Sequence, residues 1–202
     1  MVPVHMKPCH PGRLFADRRG VAAVEFALVV PVLIVLFFLT IEFWQAIDAN
    51  RKVSRIASQV GDLVTQAETT TTDDLDAIMK IGSAILQPYK RSEPTITVTA
   101  IQITTEQAPR AIVVWSRRLE NGGYGRGEPP GTIVTPQVPP SLIVPGAFLV
   151  HSEAELPYHP MLAWSESQKR RLGLTAAFDT LDMGENYYLR PRRSDFIPCS
   201  DC

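Results

Sequence analysis

The sequence predicts an α+β protein in which a single N-terminal transmembrane helix extends into a domain built on a small antiparallel sheet. Three observations carry the prediction. From Val21 to Ile41 the only charge is Glu25, and from Phe26 to Ile41 there is none. Beyond Trp44, apolar residues recur at three- and four-residue steps as far as Val64, the period of an amphipathic helix. Further on, Thr95–Thr104 is rich in β-branched residues and Ala147–Tyr158 alternates apolar with polar, the marks of strands.

The 21 residues Val21–Ile41 make roughly 31 Å of helix at about 1.5 Å per residue, enough to cross a bilayer core. A cleaved secretory signal has a shorter apolar core followed by a small-x-small site. Here the run leaves through Leu39, Thr40, Ile41, Glu42, Phe43 and Trp44, which offer no such site. Phe43 and Trp44 suit the membrane–water interface. Lys7, Arg13, Arg18 and Arg19 precede the span, and Arg51, Lys52 and Arg55 follow it. Because Arg18 and Arg19 abut the span, the bias favours a cytoplasmic N-terminus and an exported C-terminal domain. The expected organisation is a basic cytoplasmic leader over 1–20, a transmembrane helix over 21–44 and an exported α+β domain over 45–202. Pro31 frees the carbonyl of Ala27, a gap that a slight kink or a neighbouring helix re-satisfies.

Glu25 is the residue of the span that asks for a role, since a carboxylate in an apolar helix is costly to leave unpaired. It lies five residues after Gly20, and Gly20 follows Arg18-Arg19. Basic leader, glycine, four mostly apolar residues, glutamate and a long apolar helix is the arrangement of a type IV prepilin processing site. Cleavage after Gly20 would give Val21 a free amine. In an assembly, that amine pairs with Glu25 of a neighbouring subunit, so neither charge stays alone in lipid. The plainer alternative leaves the chain uncleaved, with Glu25 reaching back toward Arg18 or Arg19.

The stretch RRGVAAVEFALVVPVLIVLFFLTIEFWQAIDANRKVSRIASQVGDLVTQ closely resembles the start of TadE-like proteins of the Flp/Tad (tight adherence) pilus assembly system. The matching features are Arg18-Arg19-Gly20, the core Ala23 to Ala27, Pro31 and Glu42-Phe43. LPYHPML, from Leu156, and YYLRPRRS, from Tyr187, are two later points of likeness. Phe26 stands where Flp-type prepilins usually carry tyrosine after the glutamate; it keeps the ring and loses the hydroxyl. The resemblance implies a minor pilin or pseudopilin, single-pass in the bacterial inner membrane, with a periplasmic pilin-like domain. The partners it implies are other pseudopilins, the inner-membrane assembly platform, a prepilin peptidase and the lipid bilayer.

Composition closes other routes. A net charge of -1 supplies no basic field for nucleic acid. Cys9 lies in the leader. Cys199 and Cys202 form a C-x-x-C at the end of the chain; in an oxidising compartment a local disulfide is favoured over free thiols, a metal site or redox work. His5, Cys9 and His10 cluster without a fourth ligand, so neither metal nor cofactor is expected.

Along the chain, Ile47, Val53, Ile56, Ala57, Val60, Leu63 and Val64 form a stripe that should face the domain, with a bend possible at Gly61. Thr72 is the expected N-cap of a second helix, with Asp73 and Asp74 in its first turn and an end before Pro88. Thr95–Thr104 should pair with Ala111–Arg118. The excursion 120–146, with six glycines and six prolines, reads as an irregular loop. Its GGYGRG, Gly122 to Gly127, lacks the Lys-Ser or Lys-Thr of a phosphate loop. In Ala147–Tyr158, His151, Glu153 and Glu155 share one face, read as a solvated strand face rather than a metal or acid–base site. A short helix around 165–172 and an edge strand at Asn186–Leu189 complete the expectation. No nucleophile–base pair or carboxylate dyad stands out, so the protein is not expected to be an enzyme. A subunit that acts by packing is the first reading; an uncleaved, signal-anchored envelope module that binds a ligand or partner through 120–146 is the alternative.

Overall fold

The computed structural model describes residues 21–160 and 180–202. The leader with Gly20 and Cys9, the expected helix around 165–172 and the end of LPYHPML lie outside the described residues. The elements are helix α1 (Val21–Thr65), helix α2 (Thr72–Ile85) and strands β1 (Thr95–Ile103), β2 (Ala111–Glu120), β3 (Gly123–Arg126), β4 (Phe148–Tyr158) and β5 (Leu181–Leu189). The described residues divide into two units, the first ending at Phe43 and the second beginning at Trp44.

In the first unit, the described residues are the apolar part of α1, with side chains from Val21 to Leu39 turned outward. The helix runs through Pro31 without interruption. The Thr40 hydroxyl donates to the Leu36 carbonyl at 2.8 Å, so this polar group needs no water. Among the described residues, α1 is the one helix long and apolar enough to cross a membrane.

The second unit is a five-stranded antiparallel sheet in the order β3-β2-β1-β4-β5, with residues 44–65 of α1 and all of α2 on one face. The stripe Val53, Ile56, Ala57, Val60 and Val64 packs with Leu75 and Met79 of α2 against Ile96, Val98, Trp115, Val150, Leu156 and Tyr158 of the sheet. Helix α1 continues through Gly61 to Thr65. A Cβ on Gly61 would lie 2.6 Å from Leu189 Cδ1 and 3.0 Å from Ser152 Cβ, so this glycine lets the helix approach β4 and β5. Gly82 does the same between the helices, where an added Cβ would come within 2.7 Å of Val60 Cγ2.

The expected cap of α2 is displaced by one residue. Thr71, not Thr72, is the N-cap, and its side chain accepts from the Asp74 N–H at 3.1 Å while the Thr71 N–H donates to the Asp74 carboxylate. Such a box needs an acceptor three residues on; Thr71 has Asp74, whereas Thr72 has Leu75. Thr72 is bonded instead to the chain's far end, its N–H and hydroxyl donating to the Asp201 carboxylate at 2.8 and 2.6 Å.

The strands follow the sequence closely, with two departures. Between Ala100 and Ile101 the β1–β2 register slips, so that Val114 has no partner. This bulge reverses which face the side chains take. Trp115 and Leu119 point to the helices, while Ala111 and Val113 join Ile101, Ile103 and Leu149 on the opposite face. The second departure corrects the irregular loop 120–146. Its GGYGRG is not a flexible linker: Asn121 (φ 50°) and Gly122 (φ 73°) make a tight turn, and β3 pairs back onto β2. Asn-Gly accommodates the two left-handed residues of a two-residue hairpin. The remainder folds over the outer sheet face, with Val134 and Val138 covering Ile101, Ile103 and Leu149 in a second small core.

The tail 190–202 fastens the helix junction. The Arg192 N–H caps the Thr65 carbonyl at the end of α1 (2.9 Å), and the strand-like pairing of Thr70 with Cys199 follows. Arg192 pairs with Asp62, and Arg193 with Glu68 at 2.8 Å. Ile197 is fully buried, and its carbonyl accepts from Trp115 Nε1 at 2.8 Å.

Candidate functional site

Glu25 lies in the second turn of α1, on an exposed side of the helix, one turn beyond Val21. The geometry of the Gly20–Val21 bond falls outside the described residues. Val21 and Glu25 are four residues apart and so lie along the same helix face, both exposed.

Cys199 and Cys202 are joined by a disulfide, with Cα atoms 5.6 Å apart. Asp201 between them completes a group of three potential metal ligands within 4.8 Å, but with both sulfurs bonded to each other only the carboxylate could coordinate. That carboxylate is committed to Thr72. These bonds hold Asp201 below the usual carboxylate range, with the nearby Arg117 adding to the effect.

The second unit also contains a site that the sequence did not announce. The outer sheet face and the segment 126–137 enclose a polar groove of about 600 Å³. Thr97 and Thr99 line its floor from β1, Arg118 from β2, His151 and Glu153 from β4, and Asn186 and Tyr188 from β5. The expected solvated face is therefore covered in part, because the 127–146 excursion lies over it. His151 stacks on Tyr188 with ring centroids 4.3 Å apart, and the Tyr188 hydroxyl donates to the Gln137 carbonyl at 3.0 Å. Beneath them Thr99 and Ser116 share a buried hydrogen bond of 2.8 Å. Arg118 pairs with Glu120 at 3.2 Å through its terminal nitrogen, while its Nε is buried without a partner. Burial lowers the His151 pKa below 6.5, its ordinary value, and burial together with Glu153 raises that of Tyr188. The alternation Thr95-Thr97-Thr99 facing Ser116 and Arg118 was the available signal for this groove. Only the cross-strand register turns that alternation into one surface.

The neutral form of His151 is the one the fold favours, so its contribution to stability is intact above the unfolded value near 6.5. That contribution falls as pH drops toward the lower folded value. Unfolding scans between pH 7.5 and 5.5 are expected to show a stability loss on the acid side. His151→Gln should flatten that slope within this window, and an unaltered slope in the variant would assign it to other groups.

The model of the TadE-like protein family matches residues 20–62, the segment that holds Gly20, Val21, Glu25, Pro31 and Glu42-Phe43. No curated protein and no solved structure matched the chain. The matched segment ends within α1, three residues short of Thr65, and includes none of the strands. The resemblance read from Arg18 to Gln66 is thus borne out over residues 20–62, where the chain matches the TadE-like protein family.

Proposed function

We propose that this protein is a membrane-anchored minor pilin or pseudopilin-like component of Flp/Tad pilus assembly, acting through subunit packing and not through catalysis. The observation that carries the reading is α1 itself, a single helix from Val21 to Thr65. Its stretch from Val21 to Ile41 is apolar and largely outward-facing around one carboxylate, and its second half is the spine of an α+β domain. The family match over that helix supports the same conclusion. In this reading the chain lies once across the bacterial inner membrane with the leader in the cytoplasm and the sheet domain in the periplasm. A prepilin peptidase removes residues 1–20, and Glu25 pairs with the amine of a neighbouring subunit. Its partners are other pseudopilins and the inner-membrane platform, and it needs no cofactor.

The mature N-terminus tests this. Intact-mass analysis of the membrane fraction is expected to show a chain beginning at Val21, and Gly20→Val should retain the leader. Full-length protein alone in the wild type would end the processed-pilin reading. A second reading, an uncleaved envelope module that binds a partner, is favoured by the groove between 126–137 and the outer sheet face. It predicts that substitutions at Arg118 or Asn186 abolish function while Gly20→Val has no effect.

A further inference from the structure

A cavity of about 560 Å³ lies against Trp44, Ala49 and the loop Pro88–Arg91, at the edge of the helix–sheet core and apart from the outer groove. The loop that walls it is fastened from several sides. Lys52 Nζ donates to the Gln87 carbonyl at 3.0 Å and pairs with Asp48 at 2.9 Å. Arg91 donates to Gln45 Oε1 at 2.8 Å and to the His159 carbonyl at 2.9 Å. The Tyr89 ring stacks on Tyr158 with centroids 5.3 Å apart, and its hydroxyl accepts from the His159 N–H at 2.8 Å. These bonds fix the loop beside residues 45–52 of α1, within about 12 Å of Trp44 along the helix axis.

Trp44 ends the apolar run and is 66% exposed despite lining the cavity. Lys90, at the tip of the fastened loop, is exposed and has no ion pair among the described residues. We propose that Trp44 and the Gln87–Arg91 loop form a docking site for the anionic headgroups of the bilayer that α1 enters, with Lys90 facing the lipid phosphates. Two arguments choose this occupant. A tryptophan at the end of an apolar span resides at headgroup depth, where its ring is half in hydrocarbon and its N–H is wet. The charge beside it is complementary: Lys52, Lys90 and Arg91 line the cavity with Trp44 against the single carboxylate of Asp48, and cations at that depth are attracted to an anionic surface. The held loop also needs little further ordering to bind, which removes part of the usual entropic cost. The inference rests on membrane anchorage through Val21–Phe43 and is independent of any role in a pilus.

The test places the full chain in nanodiscs of equal parts phosphatidylglycerol and phosphatidylcholine, then counts the lipids that remain bound by native mass spectrometry. Wild type is expected to retain phosphatidylglycerol preferentially. Lys90→Glu should reduce that retention at least about fivefold, Lys90→Arg should preserve it, and the unfolding transition should be the same in all three. Excess inorganic phosphate should not displace the lipid. Equal retention of the two lipids by wild type, or unchanged retention in Lys90→Glu, would overturn the headgroup site. Displacement by free phosphate would also overturn it, showing an ion site in its place. A chain that does not enter the nanodisc would overturn the anchorage on which the site depends, an outcome distinct from entry without lipid preference.

Discussion

Replacing Glu25 with alanine is expected to leave membrane insertion and leader removal intact and to abolish or sharply reduce pilus assembly. The argument is electrostatic. On the proposed pairing, removing the carboxylate would leave the neighbouring subunit's Val21 ammonium unpaired close to hydrocarbon, a loss on the order of several kcal/mol per interface. Because a filament repeats its interfaces, even a fraction of that penalty at each contact shifts assembly strongly. Glu25→Gln should fail in the same way, since the amide matches the shape of the carboxylate but not its charge. A plain membrane anchor behaves oppositely: deleting a charge from an apolar helix improves its insertion and harms nothing else. Pilus counts and surface adherence compared across wild type, Glu25→Ala, Glu25→Gln and Gly20→Val separate the two. Normal pili in Glu25→Ala would remove the paired charge from the assembly.

The second large effect is expected at Trp115, where the sheet meets the C-terminal tail. Its side chain is 2% exposed and its indole N–H is bonded to the Ile197 carbonyl. Trp115→Ala should destabilise the domain by about 3–5 kcal/mol, combining lost apolar burial with the cavity left behind. Trp115→Phe keeps most of the ring but leaves a buried carbonyl without its donor, a loss of about 1–3 kcal/mol. The two variants therefore distinguish packing from hydrogen bonding. Denaturant unfolding of the full chain in micelles measures both, and limited proteolysis reports whether the tail after Leu189 has come free. A loss in Trp115→Ala no larger than in Trp115→Phe would mean that the indole bond, and not the filled volume, holds this corner.

Much of the architecture was legible because its signals are periodic. The span needs only length and the absence of charge. The stripe Val53-Ile56-Ala57-Val60-Val64 states its burial through its spacing, and β4 does so through the alternation of Phe148, Val150, Ala154, Leu156 and Tyr158, all buried in the structure. What escaped was set by contacts distant in the chain. The one-residue displacement of the α2 cap turns on Asp74 and on Asp201, and Asp201 lies 129 residues away from Thr72. Gly61 reads as a weak point in a helix until Leu189 and Ser152 are found against it. The β2–β3 hairpin was announced by Asn121-Gly122, yet the density of glycine and proline around it reads as irregular structure. The outer groove depends on five strands in register, and no local pattern encodes register. Of the candidate residues, Glu25 was visible because it breaks an apolar run, whereas Arg118 and Tyr188 resemble ordinary surface positions.

The unpaired Val114 of β2 has a consequence for how this chain tolerates insertions and deletions. A single strand serves two cores through a phase change at that residue: Ala111 and Val113 face outward with the covering excursion, and Trp115 and Leu119 face the helices. Val114 is the extra residue, so its loss would remove the bulge without turning either half over: Val113 and Trp115 would become neighbours, and neighbours in a regular strand face opposite layers. Loss of Ser116 would instead carry Trp115 to the opposite layer if the pairing from Arg117 onward is kept. The side-chain phase of β2 is therefore forgiving at one position and strict beside it, and deletion of Val114 should cost less stability than deletion of Ser116.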